Sequence, residues 1–346
     1  MKKALSLILS LAMVFALCAC GTTQDQDTTT PPPASDGETT YDTANLTYSI
    51  NGTSTSIEAQ VANLFKERIE EATNGSITVT IYTDAQLAGG DLSASVEAAQ
   101  SGVMDIYCAD TSVIAALDPT IGVSAIPFAY SGYDEVEVAY DTTGGEYISN
   151  ALKDYNLTYA TYAHNGLQCL TCSKIQLDTP ENFKNIKIRI SGTQLNIDMY
   201  TALGADPSAL NWSETYTALQ NGTYDAQSNS PATIKSGNIQ EVQNYLTVSR
   251  HTYGAFLISF YTPTFESFNE ATQELLMTTL QSAAKEVNEK TASEEETILQ
   301  EFEDAGMEVS YLTDEQTAAF KEALADVIDK YKAEYGEAAC EAFNIT

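Results

Sequence analysis

Arginine is the scarcest of the residues in this chain that could do chemistry. Only Arg68, Arg189 and Arg250 occur among its sixteen basic residues, and one of them stands inside "NIKIRI" (185–190). Strict alternation puts Ile186, Ile188 and Ile190 on one face of a strand and Lys187 and Arg189 on the other. Taken alone, the stretch reads as a half-buried strand with a solvated face. A guanidinium has a second use, because its planar fork gives a carboxylate two parallel, charge-assisted hydrogen bonds where lysine offers a point charge. The other reactive types are sparse. "CLTC" (169–172) has redox or zinc spacing but lies in a strand pattern, where residues three apart face opposite ways. The only histidines are His164 and His251. No nucleophile elbow, His-Glu-x-x-His pair, phosphate-binding glycine loop or calcium loop is present. The expectation is a protein without catalysis, cofactor or metal.

Charge narrows the partners. The chain carries a formal −32, which speaks against nucleic acid and against an electrostatic grip on anionic lipid. An anionic ligand would therefore need a local positive group set against the field of the whole. The N-terminus has Lys2 and Lys3 before "ALSLILSLAMVFALCACG", an apolar run too short for a comfortable membrane span. Leu17-Cys18-Ala19-Cys20 resembles a bacterial lipobox, with Cys20 the residue to be lipidated and 1–20 the signal peptide. "TTQDQDTTTPPPASDGETT" (22–40) cannot build a core and reads as a disordered tether over 21–42. A disulfide among Cys108, Cys169, Cys172 and Cys340 stays open.

The remaining residues, about 300 in number, suit two lobes better than one core. Strand and helix patterns alternate, the mark of an α/β protein. "LTYSI" (46–50) reads as a strand, then a helix buries Ile57, Val61, Leu64, Phe65 and Ile69 and leaves Arg68 on the surface. "SITVTIY" (76–82) and "VMDIYCA" (103–109) are strands flanking a small-residue helix over 91–101, and "LTYATYA" (157–163) is another strand. A later helix is expected to start near a capping Ser213 and to stop at Gly222. Residues 269–305 keep helical periodicity for about 55 Å, long enough to cross both lobes or to break once. Thr313-Asp-Glu-Gln316 is a capping box opening a last helix, with Phe320, Leu324, Val327 and Tyr331 inward.

Over roughly residues 46–335 the chain resembles the DctP-type solute receptors of TRAP (tripartite ATP-independent periplasmic) transporters. The resemblance rests on "VANLFKERIEEATNGSITVTIYTDAQLAGG" (61–90), "SGVMDI", "IPFAY", "NFKNIKIRI" and "NWSETYTALQNGTYDAQSNSP" (211–231), in the expected order. It implies a two-lobed, periplasmic-binding-protein-like α/β fold of mixed sheets with flanking helices and a long lobe-crossing helix. Lobe I would comprise 43–166 plus about 255–294, and lobe II about 167–254 plus 295–346. The cleft between them would trap a small organic acid. Arg189 matches the family's carboxylate-binding arginine, and Asn229 its asparagine on the same carboxylate. Trp212 stands where the family often sets an aromatic against the ligand. Asp110 and Asn51, at strand ends where α/β proteins bind ligands, and Asp91 complete the expected site. Gln168 replaces a second arginine found in many members, which favours a monocarboxylate with hydroxyl, ring or apolar features over a strongly anionic ligand.

The implied partners are this carboxylate, a separate TRAP-type permease and, through the lipid anchor, the membrane. The protein would be an extracytoplasmic monomer. A receptor for an ABC-type importer, or a ligand sensor presented to a membrane kinase, uses the same lobes and stands as the alternative. An enzyme using Asp110, Arg189 and Cys108 or Cys169, or an adhesin without a small ligand, would share only the fold.

Overall fold

The computed structural model describes residues 40–346; the leader, Cys20 and the tether up to residue 39 lie outside the described residues. Eleven strands run β1 (Ala44–Ile50), β2 (Ile77–Tyr82), β3 (Ile106–Asp110), β4 (Leu157–Leu167), β5 (Cys169–Cys172), β6 (Lys187–Ile190), β7 (Asp206–Ala209), β8 (Ala226–Asn229), β9 (Tyr245–Val248), β10 (Tyr253–Tyr261) and β11 (Glu308–Tyr311). They form a five-stranded sheet, β2-β1-β3-β10-β4, and a six-stranded one, β11-β9-β5-β8-β6-β7. Both are mixed. β1 is parallel to β2 and β3, whereas β10 runs antiparallel to β3 and β4. In the second sheet β6 is parallel to β7 and β8, and β5 is antiparallel to β8 and β9.

The chain passes between the sheets at Gln168, which joins β4 to β5, and again at 249–252, which joins β9 to β10. These crossings are tied together, the Gln168 N–H donating to the Thr252 carbonyl at 2.9 Å. A third connection is the helix Glu270–Asp304, unbroken over 35 residues. Its Leu276, Leu280, Ala283, Ala284 and Val287 enter the first sheet's core, and Ile298, Leu299 and Phe302 enter the second sheet's core. One apolar stripe thus serves two cores, which explains a helix longer than either sheet requires.

Local chemistry accounts for most element ends. Ser56 caps the helix Ile57–Ala72, its hydroxyl accepting from the Ala59 N–H. Arg68 leaves that helix to reach Ser282 at 3.1 Å and to pair with Glu286 on the long helix. Asn269 caps the long helix, and its N–H donates at 2.7 Å to the carboxylate of Asp42. Asp42, placed at the tether's end by the sequence, is already part of the folded body.

Three details differ from the sequence reading. The helix Trp212–Gln220 follows Asn211, not a capping Ser213; the Asn211 amide oxygen accepts from the Leu92 N–H at 3.3 Å on the first sheet's side. The Thr313 capping box forms, but the expected single helix is two, Asp314–Ala323 and Ala325–Tyr335, meeting at Leu324. The chain's last residues leave the second sheet, where the sequence reading put 295–346. Phe343 packs edge-on 5.1 Å from Tyr140, and its carbonyl accepts from the Tyr130 hydroxyl.

Candidate functional site

A cavity of about 130 Å³ opens between the sheets. It holds on the order of ten water-sized groups, the bulk of a small acid. Asn51, Asp110, Gln168, Arg189, Trp212 and Asn229 all line it. Asp91 does not. Its carboxylate caps the helix Leu92–Gln100, accepting from the Ala94 N–H at 2.8 Å, and it is the next residue, Leu92, that reaches the wall.

Arg189 is the cavity's one lysine, arginine or histidine among the described residues. Ile188 and Ile190 point into the core, and Lys187, on Arg189's side, is exposed while Arg189 itself is only 5% exposed. The face expected to be solvated is solvated at one residue and roofed at the other. Burial holds the guanidinium's pKa down to about 10, with Asp110 opposing, so it stays charged at neutral pH. Its Nε and Nη2 donate to the Leu210 carbonyl at 3.0 and 2.7 Å, and its Cζ lies 5.7 Å from the centre of the Trp212 ring. It has no ion-pair partner among the described residues, unlike Arg68 and Arg250. A buried cation without a counter-charge costs several kcal/mol in principle.

Trp212, the chain's single tryptophan, opens its helix and lies against Gly237, where a Cβ would come within 2.5 Å of the ring. On the second sheet's side, the Asn229 amide donates to the Gln227 side-chain oxygen at 2.6 Å, and Gln227 donates on to Thr171. The Gln168 amide donates to the Gly166 carbonyl at 3.1 Å.

On the first sheet, Asp110 ends β3 and caps the short helix Thr111–Ile114. One carboxylate oxygen accepts from the Ser112 N–H at 2.8 Å and the other from the Asn165 amide at 2.7 Å. Asn165 in turn accepts from Thr233, beyond β8, so one amide links the two sheets across the cavity. Asn51 follows β1, and its amide nitrogen lies 3.4 Å from both the Ser95 and the Tyr107 hydroxyl oxygens. Its amide oxygen is buried and has no hydrogen-bond partner among the described residues.

Glu58 and Asn165 line the cavity and escaped the sequence reading. Glu58 accepts from the Asn51 N–H at 3.2 Å, and burial pushes its pKa up to about 8. A signal existed: Glu58 sits on the same face as Ala62, Phe65 and Ile69, a carboxyl on an apolar stripe. Asn165 showed only as a polar residue before Gly166 in a strand that proved buried.

The other reactive groups stand elsewhere. His251 bonds Ser249 and Tyr200, His164 bonds Tyr253, and burial holds them to about 4 and about 3, neutral at pH 7. Cys108, Cys169, Cys172 and Cys340 are buried and free, and burial raises each thiol's pKa. Among the described residues no three His, Cys, Asp or Glu side chains are grouped to hold a metal ion, and no helix is long and apolar enough to cross a membrane.

Comparison with known proteins places the chain by sequence and fold. The chain is 26% identical over 267 residues to the 2,3-diketo-L-gulonate-binding periplasmic protein YiaO of Escherichia coli, covering 77% of this chain and 80% of that one. It is 26% identical over 268 residues to the C4-dicarboxylate-binding periplasmic protein DctP of Rhodobacter capsulatus, with coverages of 77% and 80%. Its fold matches a TRAP periplasmic solute-binding protein of Ralstonia eutropha with bound (S)-2-acetolactate, at a TM-score of 0.84, 22% identity and coverage of 87% and 98%. It also matches the sugar acid binding protein DctPAm of Advenella mimigardefordensis in complex with galactonate, at 0.83, 22%, and 88% and 98%. The profile of the family described as "bacterial extracellular solute-binding protein, family 7" matches residues 48–334, and the chain therefore belongs to that family, the DctP-type receptors of TRAP transporters.

Proposed function

We propose that this receptor captures a small organic acid in the cavity between its sheets, with Arg189 holding the carboxylate, and hands it to a TRAP-type permease. Arg189 carries the reading: a buried, charged guanidinium in the cavity wall without an ion-pair partner among the described residues. Its Leu210-bound edge fixes the plane of the fork, and the rest of the guanidinium faces the carboxylate. Asn229 supplies a second polar contact to the same group, and Trp212 covers the ligand's flank. Contacts with both lobes make closure the favoured state once ligand is bound. The ligand is carried, not transformed, and should be recovered unchanged. A lipid on Cys20 keeps the receptor at the outer face of the cell membrane.

Thermal unfolding of the mature chain with sugar acids, keto acids, dicarboxylates and aromatic acids tests this reading. A binder at 100 times its dissociation constant adds about 2.7 kcal/mol of stability. At least one acid class should raise the melting temperature by several degrees and be recovered intact. A panel without any shift, or a ligand consumed on incubation, would refute the reading. Cys20→Ser should move the protein from the membrane to the soluble fraction.

A further inference from the structure

We infer that the ligand carries a hydrogen-bond donor, a hydroxyl or an ammonium, at the end remote from its carboxylate, and that a polar niche over Gly254 reads this donor and refuses a second carboxylate. The inference rests on the reading that Arg189 takes the carboxylate.

Gly254 stands on β10 opposite Gly166 on β4, just before a register shift, and it lines the cavity. The two glycines have different reasons to be there. Gly166 has φ +116, a conformation that favours glycine, and a Cβ on it would strike Ser230 and the Tyr133 hydroxyl at 2.9 Å. Gly254 has no positive φ, so its backbone would accept a side chain. A side chain would instead crowd the polar groups around it and push them apart by a few tenths of an ångström. A Cβ there would lie 3.0 Å from a carboxylate oxygen of Asp110, 3.3 Å from the Asn165 amide nitrogen and 3.3 Å from the Gln168 amide nitrogen. Three polar groups from two strands and a crossing segment converge on a spot kept open by the missing side chain.

The hydrogen bonds in this niche leave one N–H of each amide over as well as acceptor capacity on Asp110, so it is the Asp110 carboxylate that sets the preference for a donor. Asn165 donates to Asp110, and Gln168 donates to the Gly166 carbonyl. Each Asp110 oxygen accepts one hydrogen bond and has capacity for another. Ile50 on β1 pairs with Cys108 on β3, so Asn51 and Asp110 leave neighbouring strand ends on the cavity side. Asn51 adds a buried amide oxygen with no partner among the described residues. Such an atom is unfavourable until a donor reaches it. A ligand hydroxyl or ammonium supplies that donor. A second carboxylate would instead meet Asp110 without a counter-cation, because the cavity's one cation among the described residues is Arg189.

The test uses two matched series on the mature chain by calorimetric titration. The four-carbon acids are D-erythronate, 4-aminobutyrate, succinate and butyrate; the six-carbon acids are D-galactonate, 6-aminohexanoate, adipate and hexanoate. Within a series, the hydroxy acid or the amino acid should bind at least tenfold tighter than both the dicarboxylate and the plain acid, and which of the two wins identifies the donor. Asp110→Asn, which keeps an oxygen to cap its helix, should weaken that ligand at least tenfold and narrow the gap to the dicarboxylate. Gly254→Ala should weaken it comparably while its ligand-free melting temperature shows that it folds. A dicarboxylate or plain acid binding as tightly as the donor-bearing acids overturns the inference, as does unchanged affinity in Asp110→Asn. Failure of all eight acids to bind the wild type instead overturns the carboxylate reading on which the inference rests.

Discussion

The guanidinium of Arg189 and the ring of Trp212 form one wall, Cζ lying 5.7 Å from the ring centre, while the Leu210 carbonyl fixes the guanidinium from its Nε edge. A stacked and tethered fork has lost its rotamer freedom before ligand arrives, so little ordering remains to oppose binding. Lysine, a point charge, cannot hold the Leu210 carbonyl and at the same time present two parallel donors to a carboxylate. Arg189→Lys should therefore weaken any bound acid by 10-fold to 100-fold, about 1.4–2.8 kcal/mol, with the ligand-free melting temperature moving far less. Titration of both proteins with the same acid checks this.

Trp212 is the only tryptophan, so its emission reports this wall alone. Ligand binding should change the intensity or the maximum of that emission. Gly237→Ala would bring a Cβ to 2.5 Å from the ring and force it to move. The expected result is a shifted ligand-free emission and a several-fold loss of affinity, with Arg189 untouched. An unaltered spectrum and affinity would mean that the ring's place does not matter to the ligand.

Glu58 makes stability depend on pH. Its carboxyl titrates at about 8 in the folded chain against 4.5 as a free side chain, with desolvation the main cause. Between those values the folded state keeps a proton that the unfolded state has released. Stability from this group is complete below pH 4.5 and falls as pH rises towards 8, by at most about 1.4 kcal/mol per pH unit. Glu58→Gln removes that slope, so its melting-temperature advantage over wild type should grow between pH 5 and pH 8. Parallel profiles would contradict the assignment.

A second buried carboxyl ties the crossing segments together. Glu295 on the long helix accepts from the Tyr133 hydroxyl at 2.7 Å and pairs with Arg250 at 2.7 Å, and Arg250 holds a left-handed backbone at φ 45. Tyr133→Phe deletes one bond to a charged acceptor and should cost about 1.5–3 kcal/mol of stability, read as a melting temperature lowered by several degrees. A change within a degree would show that the contact contributes nothing.

Much of this was written in the sequence at the level of pattern. Alternation exposed β6, the apolar stripe exposed the long helix, and Thr313 with Gln316 announced a capping box that forms. Periodicity could not say which residue of the polar face would be roofed, so Lys187 and Arg189 looked alike until Leu210 and Trp212 packed over one of them. Asp110 and Asn51 could be placed because strand ends are fixed by local pattern. Glu58 and Asn165 could not, because a polar residue on a buried element looks like an interrupted stripe until its partners arrive from distant segments. Asp91 shows the converse, since a helix cap and a ligand contact call for the same residue type at the same strand-to-helix turn.

Carboxylate capture by Arg189 is most directly tested by titrating the tightest-binding acid of the panel beside its own primary amide, which keeps the shape but removes the charge and one of the two acceptor oxygens. A 1:1 complex with the acid and at least a 100-fold weaker one with the amide is the predicted result. Equal binding of the two would contradict it, and would return Arg189 to a structural role beneath Trp212.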